Sequence, residues 1–111
     1  MGPTLEQDAT LRQIVDRLVR AVDPEKLILF GSRGTGGARP DSDYDILIVK
    51  REPDPRRRRT GPLYQHLWGV PKPVDLLWFT PEEIEAWSEV RQHVATQAVR
   101  RGVVLYEKKP G

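Results

Sequence analysis

The chain has 111 residues, 31% charged and 38% apolar, with a formal net charge of +2 at pH 7. That length predicts one domain spanning 1–111, with room for a single modest core. Having no cysteine and two histidines, it excludes disulfides, thiol nucleophiles and zinc sites built on Cys or on three His, so any metal must be a hard cation held by carboxylates.

In chain order, Thr4 and Gln7 are spaced as a capping box, and Leu11, Ile14, Val15, Leu18 and Val22 follow at helical spacing until Asp23-Pro24. This predicts an amphipathic helix over 4–22 whose apolar stripe is core packing. Leu27 to Phe30 reads as a buried strand, and a loop with four glycines runs from Gly31 to Asp41. Tyr44 to Val49 is a second strand. Residues 50–62 are polar, basic and proline-rich, and Pro62 to Trp68 reads as a short helix ended by Gly69. Val74 to Phe79 is a third strand. Thr80-Pro81-Glu82-Glu83 then opens a helix expected to reach Arg101, burying Ile84, Trp87, Val90, Val94 and Ala98, with Gly102 at its C′ position. Val103 to Tyr106 reads as a last short strand. The order predicts an α/β (α+β) domain with a small sheet packed by helices.

No run approaches the ~18 apolar residues of a membrane span. The N-terminal residues lack a basic start and an apolar h-region, so no secretory signal is expected. Ten prolines, one Met and no Asn fit a thermophile and a GC-rich coding sequence equally well.

Chemistry concentrates at two places. Gly31-Ser32 follows the first strand, and Asp43-Tyr44-Asp45 opens the second, with ten residues between Ser32 and Asp43. Strand side chains alternate, so Asp43 and Asp45 share a face about 6.6 Å apart. Their repulsion costs roughly 2.5 kcal/mol at an effective dielectric of ~20, and a divalent cation reverses its sign. Asp75 is the one acid in the apolar third strand; if the two strands are neighbours, it reaches the same cation. The bland alternative makes Asp43 and Asp45 solvated strand-end residues and pairs Asp75 with Lys72 or an arginine. Gly31 lets backbone N–H groups approach a phosphate. The other phosphate-binding loops fail: Gly37 stands where a Walker A lysine is required, and Arg39 where a dinucleotide fingerprint needs its last glycine.

Gly31-Ser32, ten residues, Asp43-x-Asp45 and then Asp75 resemble the nucleotidyltransferase superfamily that includes DNA polymerase β. The run Leu29 to Val49 is similar to the minimal nucleotidyltransferases, short domains encoded beside HEPN-domain proteins as antitoxins. Gly34-Thr35-Gly36 departs from that pattern, being richer in glycine than the helix-forming sequence common there. The resemblance implies a polymerase β-like palm with a small mixed sheet. It implies two Mg²⁺ ions on Asp43, Asp45 and Asp75, with Gly31 and Ser32 on the β- and γ-phosphates of ATP and Arg33 alongside. Asp75 would also orient or deprotonate the acceptor hydroxyl. By the same resemblance the chain is a cytoplasmic antitoxin of a type VII-like pair. It would transfer AMP to a tyrosine hydroxyl of a HEPN-domain toxin, as a homo- or hetero-oligomer. Two alternatives stand beside it: an antitoxin that blocks its toxin sterically with an idle site, and a transferase acting on tRNA ends.

Arg56 to Arg59 lies in a window, 50–62, with six basic and two acidic side chains. It reads either as a solvated loop or as a contact to RNA, to an acidic partner or to the nucleotide. Arg33 and Arg39 read as phosphate-neutralising or as solvent-facing. His66 and His93 read as surface or packing residues, and Trp68, Trp78 and Trp87 as core.

Overall fold

The computed structural model describes residues 8–31 and 43–109. Helix α1 spans Ala9–Val22. Its start is capped by Asp8, whose Oδ1 accepts from the Leu11 N–H at 3.0 Å; the expected cap, Thr4 with Gln7, lies outside the described residues. Asp23, in the left-handed region at φ 48°, ends the helix and donates its N–H to the Val19 carbonyl. Strands β1 (Lys26–Phe30), β2 (Tyr44–Val49), β3 (Val74–Phe79) and β4 (Val103–Glu107) form one sheet in the order β3-β2-β1-β4. β1 pairs antiparallel with β2 and with β4, whereas β2 and β3 run parallel. The sheet is therefore mixed, as expected.

Both faces of the centre are covered. Leu27, Leu29, Tyr44, Ile46 and Ile48 lie under the buried stripe of α1, joined by Leu63 and Leu67. Ile28, Leu47 and Val49 lie on the opposite face with Ala98, flanked by Phe30, Leu77, Phe79 and Ile84. Burial on two sides explains why the second strand reads as a continuous apolar run rather than an alternating one. The parallel pairing requires a long crossover from β2 to β3, and residues 50–73 supply it. It contains two 3₁₀ turns, Pro55–Arg57 and Gly61–Leu67, the second in place of the expected short helix.

The largest departure from expectation lies after β3. Thr80 does cap a helix, with Glu83 N–H donating to Thr80 Oγ1 at 3.1 Å and Thr80 N–H to Glu83 Oε1 at 2.9 Å. That helix, α2 (Pro81–Ala86), ends after six residues. The chain turns and restarts as α3 (Val94–Arg101), capped by His93, whose Nδ1 accepts from the Ala95 N–H at 3.1 Å. The Trp87 ring stacks on His93 with centroids 4.1 Å apart, and Thr96 Oγ1 donates to the Trp87 carbonyl at 2.6 Å. These contacts satisfy the groups freed by the break. Trp87, Val90 and Val94 consequently stay 42%, 44% and 39% exposed instead of entering the core. Trp68, also expected in the core, is 86% exposed. Gly102 is not a left-handed cap, since its φ is −79°. It is a close-approach glycine: a Cβ there would stand 2.6 Å from the Leu29 carbonyl oxygen. Among the described residues no helix is long and apolar enough to cross a membrane.

Candidate active site

Strand register assembles the acids. Antiparallel pairing sets Asp45 opposite Phe30, and parallel pairing sets Asp45 opposite Asp75. Neighbouring strands lie about 4.8 Å apart, so the carboxylates of Asp45 and Asp75 stand side by side on one face. Asp43 immediately precedes β2 and is exposed, as is Asp75, while Asp45 is half-buried. Burial, foremost, holds the Asp45 carboxyl above its ordinary value of 3.8; the charges of Asp75 and then Asp43 push the same way, as does a side-chain hydrogen bond with Asp75. Two carboxyls set this close make it costly for both to ionise. Asp75 is thus in contact with a second acid, Asp45.

Gly31 closes the site from β1. Its φ is +67°, a region where glycine alone is unstrained. An added Cβ would also collide with Asp45 Oδ2. The glycine after the strand is therefore needed both to turn the chain and to leave space against the carboxylate. Ser32, Arg33 and Arg39 lie outside the described residues.

As they stand, no three His, Asp or Glu side chains among the described residues converge closely enough to ligate one ion. The donor set nonetheless fits Mg²⁺. The ion is ordinarily held by one or two carboxylates, with water and substrate phosphates completing the octahedron. Asp45 and Asp75 are hard oxygen donors in contact, and their repulsion is what a divalent cation relieves.

Two neighbouring features were not legible in the sequence. Tyr64 covers the outer edge of β3: its hydroxyl oxygen accepts from the Leu76 N–H at 2.9 Å, one residue from Asp75. A cavity of about 230 Å³ opens beside Gly31, lined by Phe30, Gln97, Ala98, Arg101 and Gly102. No local motif marks either, because each depends on elements far apart in the chain.

The arginine run is largely engaged within the chain. Arg56 and Arg57 pair with Asp54, Arg57 also with Glu52, and the mostly buried Arg58 pairs with Glu83 of α2. His93 packs between aromatic rings, edge-on to Phe79 and stacked on Trp87.

No curated protein matches the chain. The nucleotidyltransferase domain family matches it over residues 10–104, which takes in β1, β2 and β3 and with them Gly31, Asp43, Asp45 and Asp75. With a match across most of its length, the chain belongs to the nucleotidyltransferase domain family and is a transferase of that kind, acting on a nucleotide substrate.

Proposed function

We propose that this nucleotidyltransferase is Mg²⁺-dependent and transfers AMP from ATP to a protein hydroxyl, with Asp43, Asp45 and Asp75 as its catalytic and metal-holding residues. The observation that carries this reading is the register that sets Asp45 beside Asp75, with its carboxyl pushed up by burial and then by both neighbouring acids. Two acids side by side at a glycine turn, with a third charge acting on one of them, destabilise the fold unless a cation joins them. When bound there, Mg²⁺ supplies charge neutralisation for the triphosphate and the departing pyrophosphate.

The chain's own groups do the rest. The Gly31 turn leaves the backbone open to a phosphate, with Ser32 and Arg33 following it in sequence. Asp75, exposed at the edge of the site, takes the proton of the acceptor hydroxyl. The oxygen–phosphorus bond to the α-phosphate forms as the bond to the β-phosphate oxygen breaks, and pyrophosphate leaves with that electron pair.

The acceptor class rests on the likeness to minimal nucleotidyltransferases: a tyrosine hydroxyl of a HEPN-domain toxin, modified in the cytoplasm so that the toxin falls silent. The tRNA-end alternative loses ground, because three of the four arginines that would contact RNA already pair with acids of the chain. The test is incubation of the chain with α-labelled ATP, Mg²⁺ and the HEPN protein encoded beside it. Label should move to the toxin with the wild-type chain and not with Asp45→Asn. Equal labelling by both proteins sinks the assignment of the acids. Neutralisation of the toxin by Asp45→Asn at stoichiometric dose favours the steric reading.

A further inference from the structure

Strand order lays the chemistry out in a row. Asp75 stands on β3, Asp45 on β2 and Gly31 at the end of β1, and residue 102 leads into β4 beyond it. At about 4.8 Å per strand the row spans roughly 14 Å. Phe30 and Asp45 are cross-strand partners, so the ring and the carboxylate share a face. Phe30 also packs in the cluster that contains Ala98, which puts α3 on that face. Between them lies the cavity of about 230 Å³, with Gln97 and Arg101 among its lining residues. Gly102 fixes the distance: a Cβ there would stand 2.6 Å from the Leu29 carbonyl oxygen and 2.7 Å from Ile28 Cγ2. The end of α3 is therefore pressed onto the end of β1, and Arg101 is held at the cavity. No ion pair among the described residues involves Arg101.

Resting on the reading above, we propose that Arg101, with Gln97 beside it, forms the subsite for the terminal phosphates of the nucleoside triphosphate and retains pyrophosphate as it leaves. The row runs from carboxylates at one end to a guanidinium at the other, the polarity that a triphosphate carrying Mg²⁺ at its reacting end requires. A guanidinium meets phosphate oxygens through two parallel N–H bonds. The Phe30 and Ala98 walls exclude water from one side and so strengthen that attraction.

A purely structural role predicts something different. Arg101 lies in the last turn of α3, where any cation complements the helix dipole. Arg100 shares that turn but points elsewhere: it donates to the Ser88 carbonyl at 3.5 Å and lines a separate small cavity with Ile84 and Val99. It is the internal control.

The experiment is calorimetric titration of the full chain in excess Mg²⁺ with pyrophosphate, ATP and AMP. Arg101→Met should weaken pyrophosphate and ATP by about 10- to 100-fold, as loss of a charge-assisted pair does, and leave AMP within about twofold. Arg101→Lys, which keeps the charge but not the fork, should lose about 3- to 10-fold on the same two ligands. Arg100→Met should change none of the three. Undiminished pyrophosphate binding by both Arg101 variants overturns the subsite while leaving the carboxylate site standing. Equal weakening of AMP and pyrophosphate also overturns it, since that is what a distorted fold produces. Failure of the wild-type chain to bind either ATP or pyrophosphate removes the site as a whole, and this subsite with it.

Discussion

Replacing Asp45 by Asn should stabilise the metal-free chain while abolishing its response to Mg²⁺. Asp45 stands one strand spacing from Asp75. Two unit charges about 4.8 Å apart repel by about 3.5 kcal/mol at an effective dielectric of 20 and about 0.9 kcal/mol in bulk water. Asp75 and Asp43 are exposed and Asp45 is half-buried, so screening places the relief in the lower half of that range, about 1 to 2 kcal/mol. The asparagine amide can also donate to Asp75. In a domain of this size the gain corresponds to a rise in Tm of about 4–10 °C.

The pH dependence follows from the raised carboxyl. Below 3.8, the ordinary value, Asp45 is protonated in folded and unfolded chains alike and imposes no penalty. As the pH climbs through the window between that value and the raised folded one, the unfolded chain ionises first. Wild-type stability therefore falls across this window, and the lower level persists at pH 7. Asp45→Asn lacks that fall, so the two proteins should converge in acid and separate at neutrality. Mg²⁺ at ten times its Kd restores about 1.4 kcal/mol to the wild type and nothing to the variant. Circular dichroism melts at both pH values, with and without Mg²⁺, check all four corners. A variant less stable than wild type at pH 7, or one raised equally by Mg²⁺, refutes the electrostatic account of the site.

Gly31→Ala must hold alanine at φ +67° with its Cβ against Asp45 Oδ2, at a cost of about 1–3 kcal/mol in urea unfolding and with loss of ATP binding in the same preparation. Thr80→Ala removes one half of a reciprocal cap on α2 and should lower stability by about 1 kcal/mol without altering nucleotide affinity. Tyr64→Phe leaves the Leu76 amide unpaired at the edge of β3; stability should fall by about 1 kcal/mol, and hydrogen exchange at that amide should quicken.

The strands were legible because each is a short apolar run bounded by glycine, proline or polar residues; Val74–Phe79 and Tyr44–Val49 are observed at the expected residues. Alternation also predicts Asp43 and Asp45 on one face, although Asp43 precedes the first residue of β2. What the sequence could not supply was neighbourhood. Asp75 becomes the partner of Asp45 only through a parallel pairing across the crossover of residues 50–73, and no local pattern encodes which strand lies beside which. The break in the helix expected to run from Thr80 to Arg101 was hidden for a related reason. Residues 87–93 contain no glycine or proline. The break is stabilised by the His93 imidazole capping α3 and by Thr96 reaching back to the Trp87 carbonyl, contacts that exist only once the helix has broken.

That break also makes room for the site. A single helix from residue 81 to 101 would be about 30 Å long, whereas a six-residue strand spans about 20 Å, so the helix would overrun the sheet. Divided in two, its first part places Ile84 against the cluster of Val49, Leu77 and Phe79, and its second part brings Ala98 onto Ile28 and Phe30. Both contacts fall on the face that carries Asp45. Asp45 and Asp75 sit at the opposite ends of β2 and β3 from Val49 and Phe79, so α2 packs away from the acids. The return of α3 across β1 then delivers Arg101 beside Gly31. Restoring a continuous helix by filling 87–93 with strong helix formers should therefore separate Arg101 from Gly31, and pyrophosphate affinity should fall although neither residue has been changed.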